Sequence, residues 1–373
     1  MPQPKTLVTV AVLAWVSILC PTLCLAGCAP AQPPRPANAP RPLLNYLGQT
    51  QIPSGATFHG TVIGGLSGIS YDPDGQLYYA ISDDRSQDHP ARFYTMRILL
   101  SDKGISDVVV TGVHPLQPPH SSLPVVSPDP EGIAFDAARH RLYWCSEGER
   151  RTDRAVHADP WIRIAAPDGG YLGQFTLPPN LRMSAPDIGP RHNRALEGLA
   201  LTPDGRSLYA AMEDPGYGDE PPNSDDHQVL TRFTKFDVET TAPIAQYAYP
   251  MEPAARSGVR NGVSDLVALS DTTFLVVERS TAIPPVIRIF RAEIGAATDV
   301  LATPSLQGAV LTPMSKSLAV DLSALSVAPD NPVGNIEGIT LGPKLPDGRQ
   351  SVVLVSDNDF LPILVTQFLL FAL

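Results

Sequence analysis

Residues 196–214 read LEGLALTPDGRSLYAAMED. An apolar run closes on Thr-Pro-Asp-Gly, and a second apolar run follows. Pro presets φ, Asp bonds back to its own backbone and Gly accepts positive φ, so the tetrapeptide is a tight turn and the stretch a β-hairpin. The unit recurs as LSGISYDPDGQLYYAISDDR (66–85), PEGIAFDAARHRLYWCSEGE (130–149), VSDLVALSDTTFLVVER (263–279) and IEGITLGPKLPDGRQSVVLVSDND (336–359). Gly68, Gly132, Gly198, Asp265 and Gly338 occupy equivalent places, at intervals of 64, 66, 67 and 73 residues. Self-similarity at a near-constant period marks a repeat architecture.

Two further strand-like runs follow each hairpin. In the third unit they are TRFTKFDVE and APIAQYAYP; in the second, WIRIAAPDG and YLGQFTLPP. Helical periodicity is nearly absent, and the runs are bounded by Gly, Pro, Asp and Asn. Four strands per unit predict an all-β fold, a β-propeller of four-stranded blades. Five blades are counted, with room for a degenerate sixth in residues 294–335. The last unit lacks its outer strand, for only ILVTQFLLFAL remains. YLGQTQIP (46–53) matches YLGQFTLP (171–178) and supplies the missing strand. The N-terminal strand is therefore expected to close the ring on the C-terminal blade.

The segment before the repeats reads as an address. Lys5 and the apolar run from Leu7 to Leu25 form a signal peptide, and LAGC (25–28) resembles a bacterial lipobox, whose Cys becomes the lipid-bearing N-terminus. Pro21 and the brevity of the run weigh against a membrane span, which needs about 20 apolar residues. The expected organisation is a lipoprotein signal over 1–27, a proline-rich tether over 28–42 and the propeller over 43–373. Cys28 would carry the lipid and hold a monomer at the bacterial cell envelope, the periplasm or outer membrane. Only Cys145 then remains, within an apolar strand, as a core thiol. A formal charge of −11 argues against nucleic acid as a partner and suits bound cations.

Four of the five hairpins begin and end in acid, and the first ends in it. The two ends of an antiparallel hairpin lie side by side. Glu131 meets Glu147, Glu197 meets Glu213, Asp265 meets Glu278 and Glu337 meets Asp357, while Asp83 and Asp84 close the first unit behind Ser67. First strands line a propeller's channel, so these acids are expected on one rim. Gathered carboxylates repel one another, and a hard cation such as Ca²⁺, which takes six to eight oxygen ligands, relieves that. Two alternatives stay open: pairing with Arg85, Arg194 and Arg279, or capping of strand ends. Zinc is disfavoured, since spaced His pairs and further Cys are lacking. No nucleophile elbow, phosphate loop or H-E-x-x-H motif occurs. His192, five residues before Glu197, is an optional acid or base.

The third, fourth and fifth units, with HNRALEGLALTPDGRSLYAAMEDP and NIEGITLGP among their motifs, resemble the phytase-like domain called esterase-like activity of phytase. The resemblance runs from Leu43 to Leu373. It implies a propeller with an acidic active centre; propeller phytases use Ca²⁺ to bridge carboxylates to phosphate. The expected activity is hydrolysis of a phosphomonoester or phosphodiester. Glu197, Glu337 and Asp357 would be catalytic, the rim acids metal ligands, and Arg85, Arg194 and Arg279 substrate donors. A metal-dependent lactonase or carboxylesterase and a non-catalytic calcium-stabilised binding propeller are the alternatives.

Overall fold

The computed structural model describes residues 43–119, 127–151, 156–183, 187–221, 228–254, 256–325 and 332–373. Cys28, the signal and the tether lie outside them. Five four-stranded antiparallel sheets form the blades. From the channel outwards, blade 1 is Leu66–Asp72, Leu77–Ser82, Arg92–Ser101 and Gly104–Pro115. Blade 2 is Pro130–Asp136, Arg141–Ser146, Trp161–Ala165 and Tyr171–Gln174. Blade 3 is Leu196–Leu201, Ser207–Met212, Val229–Asp237 and Pro243–Met251. Blade 4 is Asn261–Ser270, Thr273–Ser280, Ile287–Glu293 and Ser315–Asp321. Blade 5 is Asn335–Lys344, Gln350–Asp357, Thr366–Ala372 and, from the other end of the chain, Asn45–Ile52.

Each inner strand packs on the next, and the fifth returns to the first. The closing strand runs antiparallel to the last strand, with Gln49 opposite Leu369 and Ile52 opposite Thr366. The ring is thus latched by the N-terminal strand, as the YLGQ repeat predicts. Residues 294–335 form no sixth blade among the described residues. Ser315–Asp321 is the outer strand of blade 4, and the loop before it packs Val300 and Leu306 on Ala248 of blade 3.

Successive strand residues point to opposite faces, and here both faces are buried. Tyr78 enters the core between blades 5 and 1, whereas Tyr79 enters the one between blades 1 and 2. Tyr143 and Trp144, Leu208 and Tyr209, Phe274 and Leu275, and Val353 and Leu354 divide in the same way. The second strands are therefore apolar throughout rather than alternating.

The repeated glycines act through close approach. A Cβ on Gly132 would lie 2.5 Å from the carbonyl oxygen of Glu197 and 2.8 Å from the nitrogen of Leu199. Gly68 and Gly338 meet the next inner strand in the same way. These positions set how tightly the channel closes. At the fourth, Asp265 replaces Gly, and its Oδ2 accepts a hydrogen bond from the Ile339 nitrogen at 2.8 Å.

Candidate functional site

Every inner strand carries a β-bulge at the same level. Pairing jumps between Leu66 and Gly68, Pro130 and Ile133, Leu196 and Gly198, Val263 and Asp265, and Ile336 and Gly338. A bulge releases a residue from the ladder and re-aims its side chain. The released residues include Glu131, Glu197 and Glu337, with Ser67 and Ser264 in the other two blades. Beside them, one residue beyond the partner of the position that precedes each bulge, the second strands or their immediate continuations present Asp83, Glu147, Glu213, Arg279 and Asp357. Asp129, just ahead of the second blade, completes the cluster.

The side chains converge. Carboxylate oxygens of Asp129, Glu131 and Glu147 lie within 4.8 Å of one another, and so do those of Glu147, Glu197 and Glu213. Arg85 holds Asp129 by two contacts, Nε to Oδ1 at 2.8 Å and Nη2 to Oδ2 at 2.5 Å, and also donates to Asn193. Arg194 donates to Glu213 at 2.5 Å. Arg279 reaches Glu337 at 2.9 Å and Glu213 at 3.9 Å. The backbone nitrogen of Ala195 donates to Glu147 at 2.6 Å.

Charge is unbalanced. Eight carboxylates (Asp83, Asp129, Glu131, Glu147, Glu197, Glu213, Glu337 and Asp357) face three guanidinium groups. Burial, which disfavours the charged form, is the main cause of the shifts that follow. It drives Glu131 and Glu197 well above the usual carboxylate range, with neighbouring acids adding to it. Asp83 and Asp357 are raised for the same two reasons. Burial lifts Glu147 to about 8, Glu337 to about 7 and Asp129 to about 6, partly opposed by Arg85 at Glu147 and Asp129 and by Arg279 at Glu337. The rim thus calls for protons or cations. Among these acids and guanidinium groups, two buried atoms lack a hydrogen-bond partner: Oδ1 of Asp83, an acceptor, and Nε of Arg279, a donor. An all-oxygen, multiply anionic donor set fits a hard cation.

Three acids assigned to the rim lie elsewhere. Asp84 is ion-paired with buried Arg92 at 2.7 Å and accepts from the nitrogens of Gln87 and His89. Asp265 bridges to Ile339, with Ser264 at the rim level instead. Glu278 turns away from the channel and binds Lys316 at 2.5 Å, Tyr249 Oη at 2.8 Å and Asn261 at 2.6 Å. His192 is exposed, 4.0 Å from Glu149. Cys145 is buried, with Sγ 3.1 Å from the Gly132 nitrogen. Asp129 and Asn193 stand outside the hairpin pattern; in SPDPEG the one sequence sign of Asp129 is its position two residues before a rim Glu.

Five four-stranded blades around a carboxylate-lined channel mouth define a β-propeller with an acidic centre at one end of its axis. The chain belongs to the phytase-like family described as esterase-like activity of phytase, whose profile matches residues 61–360. No curated protein matches it significantly. Among solved structures it is similar to a thermostable family-43 glycoside hydrolase, with 11% identity over 86% of this chain and 92% of that one, at a TM-score of 0.49. An exo-β-1,3-galactanase from Phanerochaete chrysosporium gives 14% identity and a TM-score of 0.45, over 87% of this chain but only 64% of that enzyme. A periplasmic gluconolactonase from Pseudomonas aeruginosa gives 10% identity and 0.35, over 79% and 82%. Likenesses of this size say nothing about chemistry.

Proposed function

We propose that the rim binds Ca²⁺ and hydrolyses a phosphomonoester or phosphodiester. The observation that supports this is the pair of orphaned atoms in an anionic ring. Asp83 Oδ1 lacks a donor and Arg279 Nε an acceptor, and both residues neighbour Glu337. A metal-bound phosphate ester would bring both a cation and an anion there. Asp83, Asp129, Glu131, Glu147, Glu197 and Glu213 would hold the metal, which when bound neutralises phosphate oxygens and activates water. Arg279 would set its positive charge beside the phosphate, and Arg85 and Arg194 would add planar donors. Hydrolysis forms a bond from the water oxygen to phosphorus and breaks the ester P–O bond. One of Glu337 and Asp357, beside Arg279, would take the water proton and return it to the departing alkoxide oxygen, so that the alcohol leaves neutral.

The test is a metal-analysed sample assayed on phosphomonoesters, phosphodiesters and lactones, with and without chelator. Calcium-dependent phosphoester turnover is expected. Turnover of lactones alone, or calcium stabilisation with no turnover, would discard the phosphoesterase reading.

We also propose that Cys28 anchors the protein through lipid, on the LAGC motif and the proline-rich stretch behind it. Cys28→Ser should shift the protein from the membrane to the soluble fraction. Retention of that variant in membranes after an alkaline wash would refute the anchor.

A further inference from the structure

A cavity of about 770 Å³ opens beside the rim between blades 4 and 5. Arg279, Asn335, Asp357 and Asp359 contribute its polar side, and Ile283, Leu361 and Ile363 its apolar one. The apolar residues come from two neighbouring rim loops, 281–286 of blade 4 and 358–365 of blade 5. Ile283 is 89% exposed and Ile363 86%. Paired aliphatic side chains facing water beside a polar patch mark a binding surface rather than scatter.

The loops are preformed. Ser280 Oγ accepts from the nitrogens of Val286 at 2.8 Å and Ala282 at 3.4 Å. In blade 5 the Leu361 nitrogen donates to the Asn358 carbonyl at 2.8 Å, and Ser54 Oγ donates to the Leu361 carbonyl at 3.0 Å. Their apolar side chains are thus held out over the cavity. Arg279, whose buried Nε has no hydrogen-bond partner, is one of the lining residues.

We infer that the cavity takes the apolar part of the ester, so that the substrate is a phosphate ester bearing an alkyl or aryl group. This rests on the phosphoesterase reading and narrows it. The charged end sits at Arg279 and the rim, and the hydrocarbon lies between Ile283 and Ile363. A polyol carrying phosphates on every side would leave those side chains in water and gain nothing from them. A bilayer surface is flat and would not bring a phosphate down to Arg279 while covering both loops.

The test is calorimetric binding of methyl-, butyl- and hexylphosphonate to the calcium-loaded protein. Affinity is expected to rise by up to about fourfold per buried CH₂. Ile283→Ser combined with Ile363→Ser should flatten that rise while leaving calcium binding, methylphosphonate affinity and melting temperature unchanged. Equal affinity for all three chain lengths, with calcium binding intact, would overturn the inference and leave the rim reading standing. Absence of calcium binding would overturn both. A flat phosphonate series, together with phosphatidylcholine vesicle binding that the double variant loses, would mark a membrane contact and overturn the inference.

Discussion

Deletion of residues 43–53 is expected to leave the protein unfolded or aggregated, where deletion of 29–41 leaves it soluble with an unchanged melting transition. The closing strand contributes Leu44 to the core between blades 4 and 5 and Ile52 to the core between blades 5 and 1. Tyr46 packs on Phe371 with ring centroids 5.5 Å apart. Each such side chain is worth about 1.5–3 kcal/mol when fully buried, and the strand also satisfies one edge of Thr366–Ala372. The combined loss is comparable with the ~5–15 kcal/mol that holds a typical domain folded. The bared edge, TQFLLFA, is apolar and buried along its length in the intact ring, and such an edge templates association. Light scattering and calorimetry decide the matter. A soluble deletion variant with the parent melting curve would show that the strand is dispensable.

Neutralising the rim should separate stability from metal binding. In chelated protein, Glu197→Gln is expected to leave the melting temperature equal or higher, because it replaces a carboxyl whose ionised form burial and its neighbours disfavour, at nearly constant shape. Glu337→Gln should lower it, with a loss of about 1–3 kcal/mol in stability, because Arg279 loses the charge of its 2.9 Å partner. Both variants should shrink the stabilisation by added Ca²⁺, which is about 2.7 kcal/mol at a hundredfold excess over Kd. The sign with pH follows from linkage. Asp129, Glu337 and Glu147 are raised to about 6, 7 and 8 in the fold. The folded protein therefore binds more protons than the unfolded chain above the ordinary carboxylate range, and stability falls as pH rises. Chelated protein should melt higher at pH 5.5 than at pH 8.5, and saturating Ca²⁺ should narrow that gap. A chelated protein that gains stability towards pH 8.5, or calcium affinity unaltered in both variants, would take Glu197 out of a metal site and show that the Glu337 charge does not act on one.

The ring and its latch were legible because period and pairing are written in order: five hairpins at near-constant spacing, and YLGQ twice. The rim was legible only in part, because a bulge shifts register by one residue and consecutive strand residues face opposite ways. Asp83 and Asp84 looked interchangeable, yet one enters the channel mouth and the other pairs with Arg92. In blade 4 the acids Asp265 and Glu278 each stand one step from the rim positions, which Ser264 and Arg279 occupy. Arg279, read as a substrate donor, sits where Glu213 stands in the neighbouring blade. Asp129 contributes from outside the repeat, so hairpin spacing carried no sign of it.

Blade 5 is assembled from both ends of the chain, and the same blade brings Glu337 and Asp357 to the mouth and one wall to the cavity beside it. Integrity and competence therefore share a single seam. A chain clipped at either end, or still emerging from its synthesis, lacks the partner strand that seats those acids. A chain that lacks only its closing strand still carries every rim acid, yet the blade that presents two of them is left with an open edge.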